Sequence, residues 1–450
     1  MHQARRAAFT ACCAVGAGLI LLLPRTAWTQ DLTQARLLTS AYNASGAALF
    51  GEFAPGNVVF SPYSIGTAMA MALAGARGQT EREMVAVLKQ RLARPQIDAA
   101  NATVLSILNG YDKSAVLPAC PEGMRPNGER CESAGGANCQ FPARREGDVC
   151  VLAPKYPRSA RLAVANALML TQQGGLVSKS YQALLKDKYA ADVFQNATLD
   201  DVNAWVGRKT EGKIDRILDA LDPNAAAVLL NAVYFKAKWA SAFITSATKD
   251  EAFNLAPERQ ISVPMMRKVE SYASVARPGY RAIRLPYEVN ALGMIIVVPD
   301  AIDGLGEVSG RLGEQELSQL LAELRSPAVR TVVDLAMPRF KTSFKAELAR
   351  LFRQAGMIRA FSLRDADFGG MTGQPPAQVP LAIDQIVHRA VIEVMEDGTE
   401  AAAATAVTMR TVSAPPRQPE VLRVDRPFLF YIVDDMTGAI LFQGRIVDPR

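Results

Sequence analysis

The chain has 450 residues, 49% of them hydrophobic and 21% charged, enough apolar material to bury a large core in one oversized domain or in two or three ordinary ones. Its formal net charge of +6 is small for this length. No basic stripe is interleaved with aromatics, so nucleic acid is not an expected partner.

The N-terminus carries Arg5 and Arg6, an apolar run from Ala7 to Leu23, and a small-residue exit from Ala27 to Thr29. That order reads as a secretory signal peptide over residues 1–29, the rival being an uncleaved anchor for which the run is short. Cys12 and Cys13 precede the most apolar part and do not resemble a lipid-attachment site. No later segment is long and apolar enough to span a bilayer. The expectation is a secreted or periplasmic protein, without a membrane partner, whose mature part, residues 30–450, is a single domain.

The stretch "DLTQARLLTSAYNASGAALFGEF" has apolar residues at helical spacing and stops at Pro55-Gly56. "VVFSPYSIGTAMAMALAGA" predicts a short buried strand, then a helix beginning at Ser61-Pro62. Thr80 and Glu83 in "GQTEREMVAVLK" predict a capping box.

Residues 113–160 interrupt this pattern with a stretch rich in proline, glycine and charge that contains Cys120, Cys131, Cys139 and Cys150. An even count in an exported chain predicts two disulfides in a surface insertion, with three possible pairings left open. A zinc site is the alternative, disfavoured because no close C-x-x-C pair is present. The basic end of the insertion, Arg144, Arg145, Lys155, Arg158 and Arg161, reads as a solvated loop before it reads as a polyanion site.

Beyond the insertion, "RLAVANALMLTQQ", "AAAVLLNAVYFKAKW", "LGMIIVVPD" and "VRTVVDLAMPRF" read as strands, while "LDDVNAWVGRKTEGKIDRILDAL" and "FKAELARLFRQAGM" read as helices. The irregular order argues for a mixed α+β architecture with large sheets. "RPFLFYIVDDMTGAILFQGRIVDP" predicts a terminal hairpin turning at Thr437 and Gly438. No internal repeat stands out.

Catalytic constellations are missing. Once His2 leaves with the leader, His388 is the one histidine, and in the strand pattern "IVHRAVIEV" it reads as a hydrogen-bonded core residue rather than a base. Ser61-Pro-Tyr-Ser64 contains no S-x-x-K, "GGMTG" lacks the lysine of a phosphate loop, and no metal-ligand cluster appears. No cofactor or metal is therefore expected, and the chain does not read as an enzyme. What stands out is "EDGTEAAAATAVTMRTVSAPP", residues 396–416, a long connection without large apolar side chains that avoids proline until Pro415. A strand that must at some moment enter a sheet has that composition, since proline would remove a ladder donor. A solvated linker has it too.

At these residues the chain resembles the serpin family over essentially its whole mature length. "NVVFSPYSIGTAMAMALAGARGQTEREM" is similar to the early helical region, "NAVYFKAKWASAF" to the central-sheet strand with its tryptophan, and "VPMM" and "MPRFK" to sheet turns. "IVHRAVIEVMEDGTEAAAATA" is similar to the strand and hinge before the reactive loop, and the last hairpin to the C-terminal signature. The resemblance implies three β-sheets with eight or nine helices and an exposed reactive-centre loop over residues 396–420. It implies a monomeric suicide inhibitor that traps a target serine protease, or a papain-like cysteine protease, in a covalent one-to-one complex. A non-inhibitory binding or carrier protein is the alternative.

Residue by residue, the resemblance makes Glu396, Gly398, Thr399, Glu400, Ala401, Ala402, Ala403, Ala404 and Thr405 the hinge. Alternation places Thr399, Ala401, Ala403 and Thr405 on one buried face and Glu400 on the other. Fourteen residues from Thr399 to Val412 would extend to about 45 Å. The family's hinge count puts the scissile bond at Val412-Ser413, which suits an elastase-like pocket, with Thr411-Val412 and Arg410-Thr411 as alternatives. Ser61, Ser64, Asn166, Asn231 and His388 resemble a polar cluster beneath the parting strands, and Trp239 the aromatic where the loop enters.

Overall fold

The computed structural model describes residues 25–112, 125–127, 130–134, 144–146, 149–152, 160–170, 177–220, 225–399 and 418–450. Helix α1 (Arg25–Gly51) buries Leu38, Tyr42 and Leu49 on one face, the spacing that periodicity predicts. Strand β1 (Val58–Phe60) leads into α2 (Pro62–Gly75), where Ser61 Oγ accepts the Ser64 amide at 3.0 Å and proline fills the first helical position. Every residue of α2 is buried, so it is the central core helix. Helix α3 (Gly78–Val87) forms, but the predicted capping box does not. Thr80 Oγ1 accepts instead from the Asp367 amide and Glu83 Oε2 from those of Ile358 and Arg359, so tertiary partners outcompete the local cap. Helix α4 (Arg94–Asn109) precedes the insertion.

The insertion forms a sheet of its own, β2 (Arg125–Asn127), β3 (Arg130–Ala134), β4 (Arg144–Glu146) and β5 (Val149–Leu152), in the order β2-β3-β5-β4. Next come β6 (Ala160–Leu170), α5 (Lys179–Tyr189), β7 (Asp192–Gln195), α6 (Leu199–Lys209) and β8 (Ala227–Lys238). Thr198 and Asp201 close a reciprocal capping box on α6. The helix stops at Lys209, short of the predicted end, because Glu211 and Gly212 take φ of 55° and 75°.

Strands β9 (Lys249–Ala256), β10 (Arg259–Arg277), β11 (Tyr280–Pro286), β12 (Leu292–Pro299) and β13 (Arg330–Pro338) follow. "VPMM", expected at a turn, lies inside β10 and pairs with β13 through Met265 and Met266. The segment expected to be helical from Phe344 splits: β14 (Phe340–Glu347) is a strand, and only Ala349–Gln354 is helix. Alternation in "FKTSFKAE" sets Phe340 and Thr342 inward along an edge of the central sheet, and this outweighs local helix propensity. The chain ends with β15 (Ile383–Met395), β16 (Gly398–Thr399), β17 (Glu420–Arg423) and the hairpin β18 (Phe428–Asp434) and β19 (Ile440–Ile446).

The described residues form three sheets. A nine-stranded sheet runs β1-β19-β18-β12-β11-β10-β13-β17, with β9 paired to β10. The six-stranded central sheet runs β14-β15-β16-β8-β6-β7, and the small insertion sheet is the third. Ten α-helices lie among the described residues, against eight or nine expected, the surplus being short, as in Gly369–Thr372. The main core fills the space between the two large sheets and α2. A second cluster covers the other face of the central sheet, where Val202, Trp205 and Val206 of α6 and Ile214, Ile217 and Leu218 after it join Ala165, Leu230 and Val391. The central sheet is thus covered on both faces.

Candidate functional site

Strands β8 and β15 are parallel neighbours from the pair Ile383–Ala227 to the pair Val391–Tyr234. Beyond that point they part, and β16 fills the gap, antiparallel to both. Thr399 stands opposite Ala237 on one side and Val394 on the other; Gly398 stands opposite Lys238 and Met395. Two hinge residues therefore already occupy the space between the strands.

Their placement is held by several contacts. Thr399 is wholly buried and its Oγ1 shares a 2.7 Å hydrogen bond with Tyr287 Oη. The Tyr287 ring stacks on Trp239 at 4.6 Å between centroids, and Trp239 donates Nε1–H to the Met395 carbonyl and its amide to that of Asp397, both at 2.9 Å. Gly398 has φ of +156°, and a Cβ there would fall 2.2 Å from the Ala237 carbonyl oxygen, so only glycine fits this close approach. Glu396, 5% exposed, accepts from Arg339 Nε at 2.7 Å and from Thr248 Oγ1 at 2.5 Å. Burial pushes its carboxyl up, but the hydrogen bonds from Arg339 and Thr248 together prevail and hold it below the usual range.

Six residues further down the strands lies the polar cluster, about 20 Å away at strand spacing. Asn166, Asn231 and His388 form one row across β6, β8 and β15. Asn231 Nδ2 donates to the Ser64 carbonyl at 3.0 Å and to Asn166 Oδ1 at 2.5 Å, and His388 Nδ1 donates to Asn231 Oδ1. His388 Nε2 is buried without a partner among the described residues. Burial lowers the pKa of the ring to about 3, so His388 is neutral, as a core residue rather than a base.

The structure thus gathers Ser61, Ser64, Asn166, Asn231 and His388 at one level, and Glu396, Gly398, Thr399 and Trp239 at the upper opening. Glu400, Ala401, Ala402, Ala403, Ala404, Thr405, Arg410, Thr411, Val412 and Ser413 lie outside the described residues, as do Cys120 and Cys139; Cys131 and Cys150 fall on β3 and β5. Sequence reasoning missed Tyr287, Thr248 and Arg339 as partners of the hinge. Arg339 alone left a trace, since it sits in "MPRFK", but nothing local marks its carboxylate partner 57 positions away. Among the described residues no group of three or more His, Cys, Asp or Glu is arranged for a metal ion, and no helix is long and apolar enough to cross a membrane.

A family model described as serpin (serine protease inhibitor) matches residues 43–131 and 139–449. The serpin-like protein TK1782 of Thermococcus kodakarensis is 34% identical over 429 residues, covering 93% of this chain and 87% of its own. A protein of Cyanea capillata named serine protease inhibitor is 30% identical over 404 residues, 87% of this chain and 92% of its own. Human thyroxine-binding globulin in its hormone complex superposes with a TM-score of 0.71 at 23% identity, covering 93% of this chain and 99% of its own, a likeness of fold.

Proposed function

The chain belongs to the serpin family, and on that premise we propose that it is an exported, monomeric, irreversible suicide-substrate inhibitor of serine proteases that forms a covalent one-to-one complex with its target. The attacking serine oxygen bonds to the carbonyl carbon of Val412, and the Val412-Ser413 amide breaks. Ser413 leaves as a new N-terminus that takes up the proton, and the enzyme stays esterified to Val412. The freed hinge then enters the central sheet before water can hydrolyse the ester. Papain-like cysteine proteases, with a thioester in place of the ester, are further targets.

The observation that supports this reading is β16, whose register, if continued, would run the residues after it between β8 and β15. Continuing the pairs of Thr399 with Ala237 and Val394, Ala401 would face Phe235 and Ile392, Ala403 would face Val233 and Ala390, and Thr405 would face Asn231 and His388. These positions would point toward the main core. Ala402, Ala404 and Ala406 would point to the opposite face, toward the second cluster with Leu230, Val387 and Val391. Because both faces are already covered, small side chains are needed at consecutive positions and not only at alternate ones. That accounts for the unbroken alanine run, and Glu400 falls outside it, near the upper edge.

Insertion replaces one parallel interface, β8 with β15, by two antiparallel ones. Through Met409, which would face Ala227 on β8, the added strand spans roughly 35 Å. It gains on the order of ten ladder hydrogen bonds at about 1 kcal/mol net each, comparable to the whole stability of an ordinary domain. The uncleaved form is then metastable, and insertion is in practice one-way.

The test is incubation with an elastase-like and a trypsin-like protease, followed by denaturing electrophoresis after boiling. A band at the summed mass is expected with the elastase-like enzyme, together with a released fragment beginning at Ser413. A fragment beginning at Val412 or Thr411 would move the bond to its neighbour. Cleavage without any trapped enzyme would favour the carrier reading.

A further inference from the structure

We infer that the insertion is a duplicated β-hairpin, each copy closed by its own disulfide, Cys120 with Cys131 and Cys139 with Cys150. Its sequence repeats at an offset of 19: Cys120, Arg125, Gly128, Glu129 and Cys131 recur as Cys139, Arg144, Gly147, Asp148 and Cys150. Hydrophobic periodicity does not reveal this, because neither copy carries an apolar pattern. The strand registers do. In the first hairpin Arg125 pairs with Glu132, Pro126 with Cys131 and Asn127 with Arg130; in the second Arg144 pairs with Val151, Arg145 with Cys150 and Glu146 with Val149. Position for position these are the same hairpin. Each register leaves two residues between the strands, glycine and then an acid, and glycine first is a composition that two-residue hairpin loops favour.

Four cysteines allow three pairings. The copies meet along β3 and β5, where Cys131 stands opposite Leu152 and Cys150 opposite Ser133. Cys131 and Cys150 are therefore diagonal neighbours, two residues out of register. Diagonal positions on adjacent strands lie about 7–8 Å apart, beyond the about 4.4–6.8 Å between Cα atoms that a disulfide bridges. This excludes the pairing that joins Cys131 to Cys150. The nested pairing, Cys120 with Cys150 and Cys131 with Cys139, ties each copy only to the other. The tandem pairing gives both copies the same bond, as a unit that closed on itself before duplication requires.

Each bond forms by exchange with a small-molecule disulfide such as oxidised glutathione. Two thiols give up their protons and a pair of electrons, and the oxidant leaves as two thiols. The product is a two-copy module between α4 and β6, in a sheet separate from the one that holds β16.

Peptide mapping of the full chain tests this directly. After incubation with excess oxidised glutathione and alkylation without reduction, digestion combines trypsin with a glutamate-specific protease, whose cut after Glu132 separates Cys131 from Cys139. One linked species joining the Cys120 and Cys131 peptides and another joining the Cys139 and Cys150 peptides are expected, with none of the four alkylated. A Cys131–Cys150 or Cys120–Cys150 link, or four alkylated thiols, overturns the inference. In a Cys120→Ser, Cys131→Ser double variant the Cys139–Cys150 link persists in full; its loss refutes the autonomy of the copies. The map is read from covalent masses, so it stands or falls independently of protease inhibition.

Discussion

His388 and Asn231 stand directly opposite each other on adjacent parallel strands, and the hydrogen bond from His388 Nδ1 to Asn231 Oδ1 leaves His388 Nε2 as a buried acceptor without a partner among the described residues. An unmet buried acceptor costs about 1–3 kcal/mol. If the proposed insertion continues the β16 register, Thr405 would reach this row and its hydroxyl could donate to Nε2. Thr405→Val should lower the stability of the loop-cleaved form by about 1–2 kcal/mol and leave the intact form unchanged. Thr405→Ser should restore it. Denaturant unfolding of both forms of each variant is the measurement, and an equal loss in intact and cleaved protein would remove Thr405 from the cluster.

Thr399 already lies in the sheet at the head of the hinge, and its surroundings are Tyr287, Ala237 and Val394. Thr399→Arg would require burying a charge there without a partner, which costs several kcal/mol. The variant should be cleaved at the normal rate yet release active protease. Counting trapped against released enzyme on a denaturing gel decides it, and undiminished trapping would contradict insertion from this end.

Glu396 anchors the turn before β16 through Arg339 and Thr248. Its carboxyl is held below the ordinary range, so its contribution is present above the unfolded carboxylate pKa of about 4.3 and is lost as pH falls through the folded value. Glu396→Gln should weaken the anchor by about 1–3 kcal/mol, less than a fully buried pair because the Arg339 side chain is 34% exposed. Hydrogen-exchange protection of the Thr399 amide should fall by one to two orders of magnitude in the variant at pH 7. Unchanged protection would assign the anchoring to the Trp239 contacts alone.

The neutral ring of His388 makes a separate pH signature. Its pKa is lowered to about 3 by burial, whereas the unfolded imidazole titrates near 6.5. Between these values the unfolded state binds the additional proton, so stability falls as pH drops from 6.5 toward 3, by up to about 1.4 kcal/mol per unit. His388→Asn keeps a partner for Asn231 and should flatten the curve in this window. A variant with the same slope as the parent between pH 6 and 4 would place the titration elsewhere.

Loop-cleaved protein should unfold at a higher temperature than intact protein, because the added strand joins the centre of the sheet. Calorimetry of both forms checks this, and coincident transitions would rule out metastability of the intact chain.

Much of this arrangement was legible in the residues. Ser61-Pro62 fixed the start of α2, the apolar run in "RPFLFYIVDD" marked β18, and His388 in an apolar strand read correctly as a core residue. Misreadings cluster where distant partners decide. The Thr80 and Glu83 side chains turned away from their own helix to segments near residue 360, and "FKTSFKAE" became an edge strand because β15 was there to pair with it. The duplication in the insertion escaped because its copies share cysteines, an arginine and a turn glycine rather than a hydrophobic period.

The sequence by itself determined which segment can become a strand: steric bulk and backbone donors are local properties, and the tract after Gly398 has little of the first and a full set of the second. It also determined the family, since motifs in order survive without coordinates. Only the tertiary structure decided where the strand would go and in what register, because the pairing of Thr399 with both Ala237 and Val394 depends on two strands far apart in the chain being brought side by side. Only it showed that the central sheet has an apolar cluster on each face, which under the proposed insertion would leave no free side for groups larger than alanine.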